Sequence, residues 1–315
     1  MVRIVLPLLG LALAFGLHTG PLAAAPQVVT DIAPVQSIAA RVMAGLGEPG
    51  VTLPPGASPH GYALRPSEAR RLQEADLVVW VGPALTPWLA EPIAALAPGA
   101  RVLALQDAPG VTLLPARAGG AFEADEHDEE HGDAQGHGEA ADGAPLDGHL
   151  WLDPENAVAA ARAIAAALGE IDPADAAAYA ANAEAFAAET ADLVRSISAR
   201  LAPLRGRPYL VFHDAYQYFE HRFGIAAAGS VALQDGVSPG PARVSALRDR
   251  VMGEGIVCAF TEPQVEPRLL ATIIEGSEVR TGTLDDIGAT LPPGPGLYPA
   301  LLRGLADNLE ACLAG

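Results

Sequence analysis

Four side chains able to hold a metal stand where strand-like text gives way to loop-like text. They are His60 in "GASPHGY", His149 in "GHLWLDP", His213 in "YLVFHDA" and Asp285 in "RTGTLDD". Taken singly, a histidine after a strand is more often a turn or surface residue than a ligand. Taken together the four say more, because ligands of open α/β sheets bind beyond the carboxyl ends of the strands. Three imidazoles and a carboxylate form a nitrogen/oxygen set suited to Zn2+. Raw affinity would favour Cu2+, so selectivity has to come from availability and geometry.

A second group has a different character. "EADEHDEEHGDAQGHGEAADG", from Glu123 to Gly143, carries His127, His131 and His137. Between 118 and 148 there are ten carboxylates and no basic residue. Such a stretch has almost nothing apolar to bury and reads as a loop. We expect its histidines and carboxylates to form a second, weaker metal site, because ordering the loop costs about 1–2 kcal/mol per residue. The competing reading is a solvated acidic spacer. His18 falls in the leader, and His221, beside Glu220 and Arg222, is expected to be solvated.

The elements that must position these residues follow a β-α rhythm. "QVVTDI", "DLVVWVG" and "ARVLALQD" read as strands, with helical text between them in "PVQSIAARVMAGLG", "RPSEARRLQEA" and "TPWLAEPIAAL". Continuous apolar strands alternating with helices imply a parallel sheet covered on both faces. "HLWLD" reads as a short strand, followed by a helix capped by Asp153, opened by Pro154 and ended by Gly169. The longest helix is expected from Asp172, as cap, through Pro173 to Pro203. Tyr179, Phe186, Thr190, Leu193, Ile197, Leu201 and Leu204 mark one face of it. A second β-α series then runs from "RPYLVFHDA" to "LYPALLRGLADNLEACL". The expected class is α/β, with two parallel-sheet lobes joined by one long rigid helix. The expected divisions are an N-terminal lobe at 26–171, containing the acidic loop at 118–148, a linking helix at 172–204 and a C-terminal lobe at 205–315.

The chain of 315 residues has a net charge of -19 and no lysine. That balance excludes nucleic-acid binding through a phosphate-neutralising surface and favours attraction of cations. Residues 1–25 have one Arg, an apolar run and then Ala23, Ala24 and Ala25, the layout of a cleaved secretory signal peptide. A membrane anchor is disfavoured, since Gly20 and Pro21 interrupt the run and the apolar stretch before Gly16 is short. Cys258 and Cys312 are the only cysteines, so no cysteine is available at the cleavage point for a lipid anchor. In an exported protein the pair reads as one disulfide, the alternative being two buried thiols.

The segments "PHGYALRPSEARRLQEADLVVWVG", "GHLWLDPENA", "VFHDAYQYFEHRFG", "FTEPQ" and "GTLDDIG" resemble landmarks of the ZnuA-type zinc-binding proteins of the metal-binding cluster A-I family. These are the periplasmic substrate-binding components of zinc ABC importers. The resemblance covers the mature chain in order, including the acidic His-rich loop and the cysteine pair. It implies a Zn2+ site in the cleft between the lobes, with His60, His149 and His213 as ligands and Asp285 or water in fourth place. It implies an inner-membrane permease as partner, with a periplasmic metallochaperone as a further candidate, and a monomer. Two positions depart from the family pattern: Asp286 replaces a usual Pro, and Thr86 stands where relatives often have Glu. Manganese-type relatives tend to carry Glu at the position of His213, which favours zinc here over manganese or another divalent metal. A secreted zinc hydrolase is the rival class, but no "HExxH" is present. An adhesive or metal-buffering surface protein would usually want an anchor.

Overall fold

The computed structural model describes residues 25–117, 144–232, 239–265 and 267–315. The first lobe is built from β1 (Val28–Thr30), α1 (Ala33–Val42), β2 (Gly50–Val51), α2 (Pro66–Gln73), β3 (Leu77–Trp80), α3 (Ala90–Leu96) and β4 (Arg101–Ala104). Its four strands are all parallel, in the order β2-β1-β3-β4. After α4 (Pro154–Ile171) and α5 (Ala176–Leu201) the pattern repeats. The second lobe contains β5 (Tyr209–Val211), α6 (Gln217–Phe223), β6 (Gly229–Ser230), α7 (Pro241–Gly253), β7 (Cys258–Thr261), α8 (Arg268–Ile274) and β8 (Arg280–Thr283), and α9 (Leu297–Ala314) follows. The second sheet is parallel in the equivalent order, β6-β5-β7-β8. Each lobe therefore starts on an inner strand, steps to one edge and returns across it, so strand ends and their loops gather on one side.

Helix α5 spans 26 residues, about 39 Å at 1.5 Å per residue. Its buried face is Tyr179, Ala183, Phe186, Thr190, Leu193, Ile197 and Leu201, close to the face expected from spacing. It packs on α1, α4, α6 and α9. One apolar cluster joins Val28, Val79 and Ile164 through Tyr179, Phe186 and Ile197 to Tyr209, Phe260 and Leu301. Each sheet also has an outer face: Val78, Trp80 and Leu72 pack together in the first lobe, and Leu210, Leu247 and Ile273 in the second.

Two expected boundaries differ. Helix α4 runs through Gly169 to Ile171, and the Asp172 N–H closes its last turn on Leu168 O. Asp172 and Pro173 thus form the turn before α5, whose N-cap is Asp175. Gly169 allows close packing instead of stopping the helix: a Cβ there would stand 3.1 Å from the Ala176 Cβ. The stretch expected as a strand at 149–153 is a 3-10 turn at Leu150–Leu152. Its apolar residues are all buried, as a strand's would be, but Asn156 Nδ2 holds Leu150 O at 3.1 Å and Asp153 caps α4 by accepting from Glu155 N.

Cys258 and Cys312 form a disulfide with Cα atoms 6.1 Å apart, tying the start of β7 to α9. Closing a loop of 54 residues stabilises by about 4 kcal/mol in the chain-entropy account. Among the described residues, no helix is long and apolar enough to cross a membrane.

Candidate metal centre

His60 lies on the loop between β2 and α2 and is exposed. The Trp88 indole N–H donates to Pro59 O at 2.7 Å, anchoring the loop beside it. His149 leads into the 3-10 turn before α4 and is 5% exposed. Its neighbour Gly148 permits the approach to the first lobe, since a Cβ there would stand 2.8 Å from Ala84 O. His213 lies two residues beyond β5 and is 5% exposed.

These three loops bring the rings together. Centroids lie 5.4 Å apart for His60 and His149, 6.2 Å for His60 and His213, and 5.3 Å for His149 and His213. One candidate ligand atom from each residue lies within 4.8 Å of the others. Two rings are held by buried carboxylates. His149 Nδ1 is 2.8 Å from Asp147 Oδ1, which also accepts from the His149 backbone N–H at 2.9 Å. His213 Nδ1 is 2.6 Å from Glu262 Oε1, and the Tyr216 hydroxyl donates to the same oxygen at 3.3 Å. A carboxylate opposite Nδ1 fixes the tautomer and leaves Nε2 as the coordinating nitrogen. The His149 Nε2 is buried without a hydrogen-bond partner among the described residues.

The structure does not bring Asp285 into this group. Its carboxylate accepts from Ala289 N at 2.9 Å, from Thr290 N at 3.1 Å and from the Thr290 hydroxyl at 3.0 Å, closing the turn after β8. The next residue, Asp286, is 3% exposed, and its Oδ1 has no hydrogen-bond partner among the described residues. Burial raises the Asp286 carboxyl to about 6; His213 and His149 oppose that rise, and Glu262 and Asp285 add to it. Asp147, Glu262 and Asp286 were not identified as site residues from sequence alone. Two of them carried a signal: Glu262 directly follows β7, a strand-end position like that of His213 after β5, and Asp147 sits two residues before His149. Histidines 127, 131 and 137 lie outside the described residues.

Arg117, the last described residue before the acidic segment, reaches the second lobe. Its Nε lies 2.9 Å from Asp214 Oδ2 and its Nη1 lies 2.8 Å from Glu220 Oε2. Burial raises the Glu220 carboxyl, and Arg117 counteracts that rise. Asp214 adjoins His213, so this pairing braces the loop that carries the histidine. His221 is exposed, as expected.

A sequence model described as "Zinc-uptake complex component A periplasmic", of the ZnuA family, matches residues 28–312. The chain is 43% identical to the high-affinity zinc uptake system protein ZnuA of Brucella suis biovar 1 (strain 1330), covering 91% of each chain. It is 44% identical to the protein of the same name in Paracoccus denitrificans (strain Pd 1222), covering 96% of this chain and 97% of that one. A crystal structure of ZnuA superposes with a TM-score of 0.77 at 22% identity, covering 92% of this chain and 99% of that one, a likeness of fold.

Proposed function

Because the chain belongs to the ZnuA family of zinc-uptake components, we propose that it captures Zn2+ in the periplasm through His60, His149 and His213 and delivers it to the permease of a zinc ABC importer. Zinc is the cargo, and the protein is a transport component, not an enzyme. The observation that carries the ligand assignment is the convergence of three imidazoles from separate loops to within 4.8 Å. Two of the rings are already oriented by carboxylates, so little ordering remains to oppose binding. Three neutral imidazoles suit Zn2+ better than Mn2+, which prefers oxygen ligands.

Residues 1–25 act as a cleaved export signal, and the mature protein works as a monomer. Residues 26–171 and 205–315 are the two lobes, with 172–204 as the link. His127, His131 and His137 form a weaker zinc site, and the carboxylates beside them in the sequence raise the local cation concentration, an effect salt screens beyond about 8 Å. A periplasmic metallochaperone is a candidate donor of the ion.

The test is a competition titration against a chromophoric zinc chelator. His60→Ala and His213→Ala are each expected to weaken tight binding by orders of magnitude. If both variants hold zinc as the parent does, the ligand assignment is wrong.

A further inference from the structure

Three buried carboxylates surround the histidine cluster, and two already have work. Asp147 holds His149 and Glu262 holds His213. The third, Asp286, is as buried as they are, yet its Oδ1 has no partner among the described residues. A buried carboxylate oxygen without a donor is costly, and native structures keep such groups rarely unless a ligand completes them. Asp286 is also held in place: its own carbonyl accepts from the Trp151 indole N–H at 2.8 Å, and the Trp151 ring lies 5.4 Å from that of His149. His213 and His149 both lie within its electrostatic reach.

We propose that Asp286, and not Asp285, is the anionic group the site directs at its divalent cargo, accepting a hydrogen bond from the water that completes the coordination of Zn2+. Among the described residues, no carboxylate joins the three histidines within 4.8 Å, which favours this outer position over direct ligation. The three imidazoles are neutral when they bind metal, and Asp147 and Glu262 are engaged with the far sides of their rings. Asp286 thus supplies the negative charge that the neutral rings do not, and orients the water. Asp285 instead spends both oxygens on the turn that presents Asp286.

This inference rests on the zinc-binding reading, so the experiment separates the two. Zinc affinity and the thermal midpoint of the metal-free protein are measured for the parent, Asp286→Asn, Asp286→Glu, Asp285→Asn and His149→Ala. The expected result for Asp286→Asn is a 10- to 100-fold loss of zinc affinity, the range for groups acting on a metal through another ligand. Its metal-free midpoint should stay equal or rise, because an uncompensated buried charge is gone. A purely structural residue would lower both. Asp286→Glu should recover part of the affinity, and Asp285→Asn should stay within about threefold of the parent, since it touches only the turn. Parent-like affinity in Asp286→Asn, or a larger loss in Asp285→Asn, overturns the inference. If His149→Ala also keeps parent affinity, the metal-site reading itself fails.

Discussion

Removing Glu262 asks how much of the zinc affinity comes from holding one ring still. Glu262 Oε1 meets His213 Nδ1 at 2.6 Å in a buried setting, so it fixes both tautomer and ring orientation. Loss of such a partner costs 10- to 100-fold in metal affinity, about 1.4–2.7 kcal/mol. Glu262→Ala should fall in that range. The Tyr216 hydroxyl would keep its bond to Leu284 O at 3.2 Å, so collapse of the pocket is not expected. Glu262→Gln retains a carbonyl oxygen to accept from Nδ1 and loses the charge. Charge-assisted hydrogen bonds are roughly twice as strong as neutral ones, so about half the free energy should remain, a loss of about 3- to 10-fold. The assay is chelator competition at fixed pH and salt, with thermal unfolding of the metal-free proteins as control. Equal affinity in parent, Gln and Ala variants would refute the reasoning, because it would mean that His213 needs no orienting partner. Equal losses in Gln and Ala would show that charge alone matters.

Three further outcomes are expected. Replacing Cys258 and Cys312 by Ser should lower unfolding free energy by up to about 4 kcal/mol in denaturant titrations. Zinc affinity should barely change, since Cys258 opens β7 and Glu262 follows its far end, about 13 Å away at 3.3 Å per residue. Deleting residues 118–143 should abolish weak zinc binding in calorimetry and leave the tight site; unchanged stoichiometry would refute the second site. Burial raises the Asp31 carboxyl to about 6, above its usual value near 3.8, so between those values the native state holds a proton that the unfolded chain has released. Stability should therefore fall as pH rises through that window, by about 3 kcal/mol from this group, and level off above it. Asp31→Ala should lose that slope, although it strips the acceptor from Val81 N and Ile32 N; an identical slope would refute the assignment.

What the sequence made legible depended on range. Alternation of apolar runs with helical spacing exposed the two lobes, because the inner strands β1, β3, β5 and β7 are buried along their length and are largely apolar; the edge strands β4 and β8 are more exposed. The face of α5 was readable for the same reason: Tyr179 to Leu201 repeat at helical spacing whatever they pack against. Positions where strand-like text meets a turn also drew attention to His60, His149 and His213, whose rings the structure brings together. Local hydrogen bonding decided what could not be read. Leu150–Leu152 is apolar enough for a strand, but Asn156 and Asp153 favour a tight turn. Asp172 and Pro173 look like a helix start, yet α4 reaches them first. Asp285 and Asp286 are adjacent carboxylates of identical composition, and only the fold shows that Asp285 is the one engaged by Ala289 and Thr290. No spacing rule reports that choice.

The apolar cluster that passes through α5 from one sheet to the other limits how the molecule can signal that it is loaded. Swinging the lobes apart as two bodies would open that cluster to water. Exposing only about 400 Å2 of it would cost about 10 kcal/mol at 25 cal/mol/Å2, comparable with the entire stability of an ordinary domain. A large clamshell motion is therefore out of reach of thermal energy. Any difference between empty and filled protein would then lie in small parts near the histidines: the exposed loop of His60, the turn of Asp286 and the Arg117 brace beside His213. A permease reading this surface would sense a few side chains and one short loop. Extraction of the ion would then proceed by lifting a single ligand arm, with the body of the protein acting as a stiff handle.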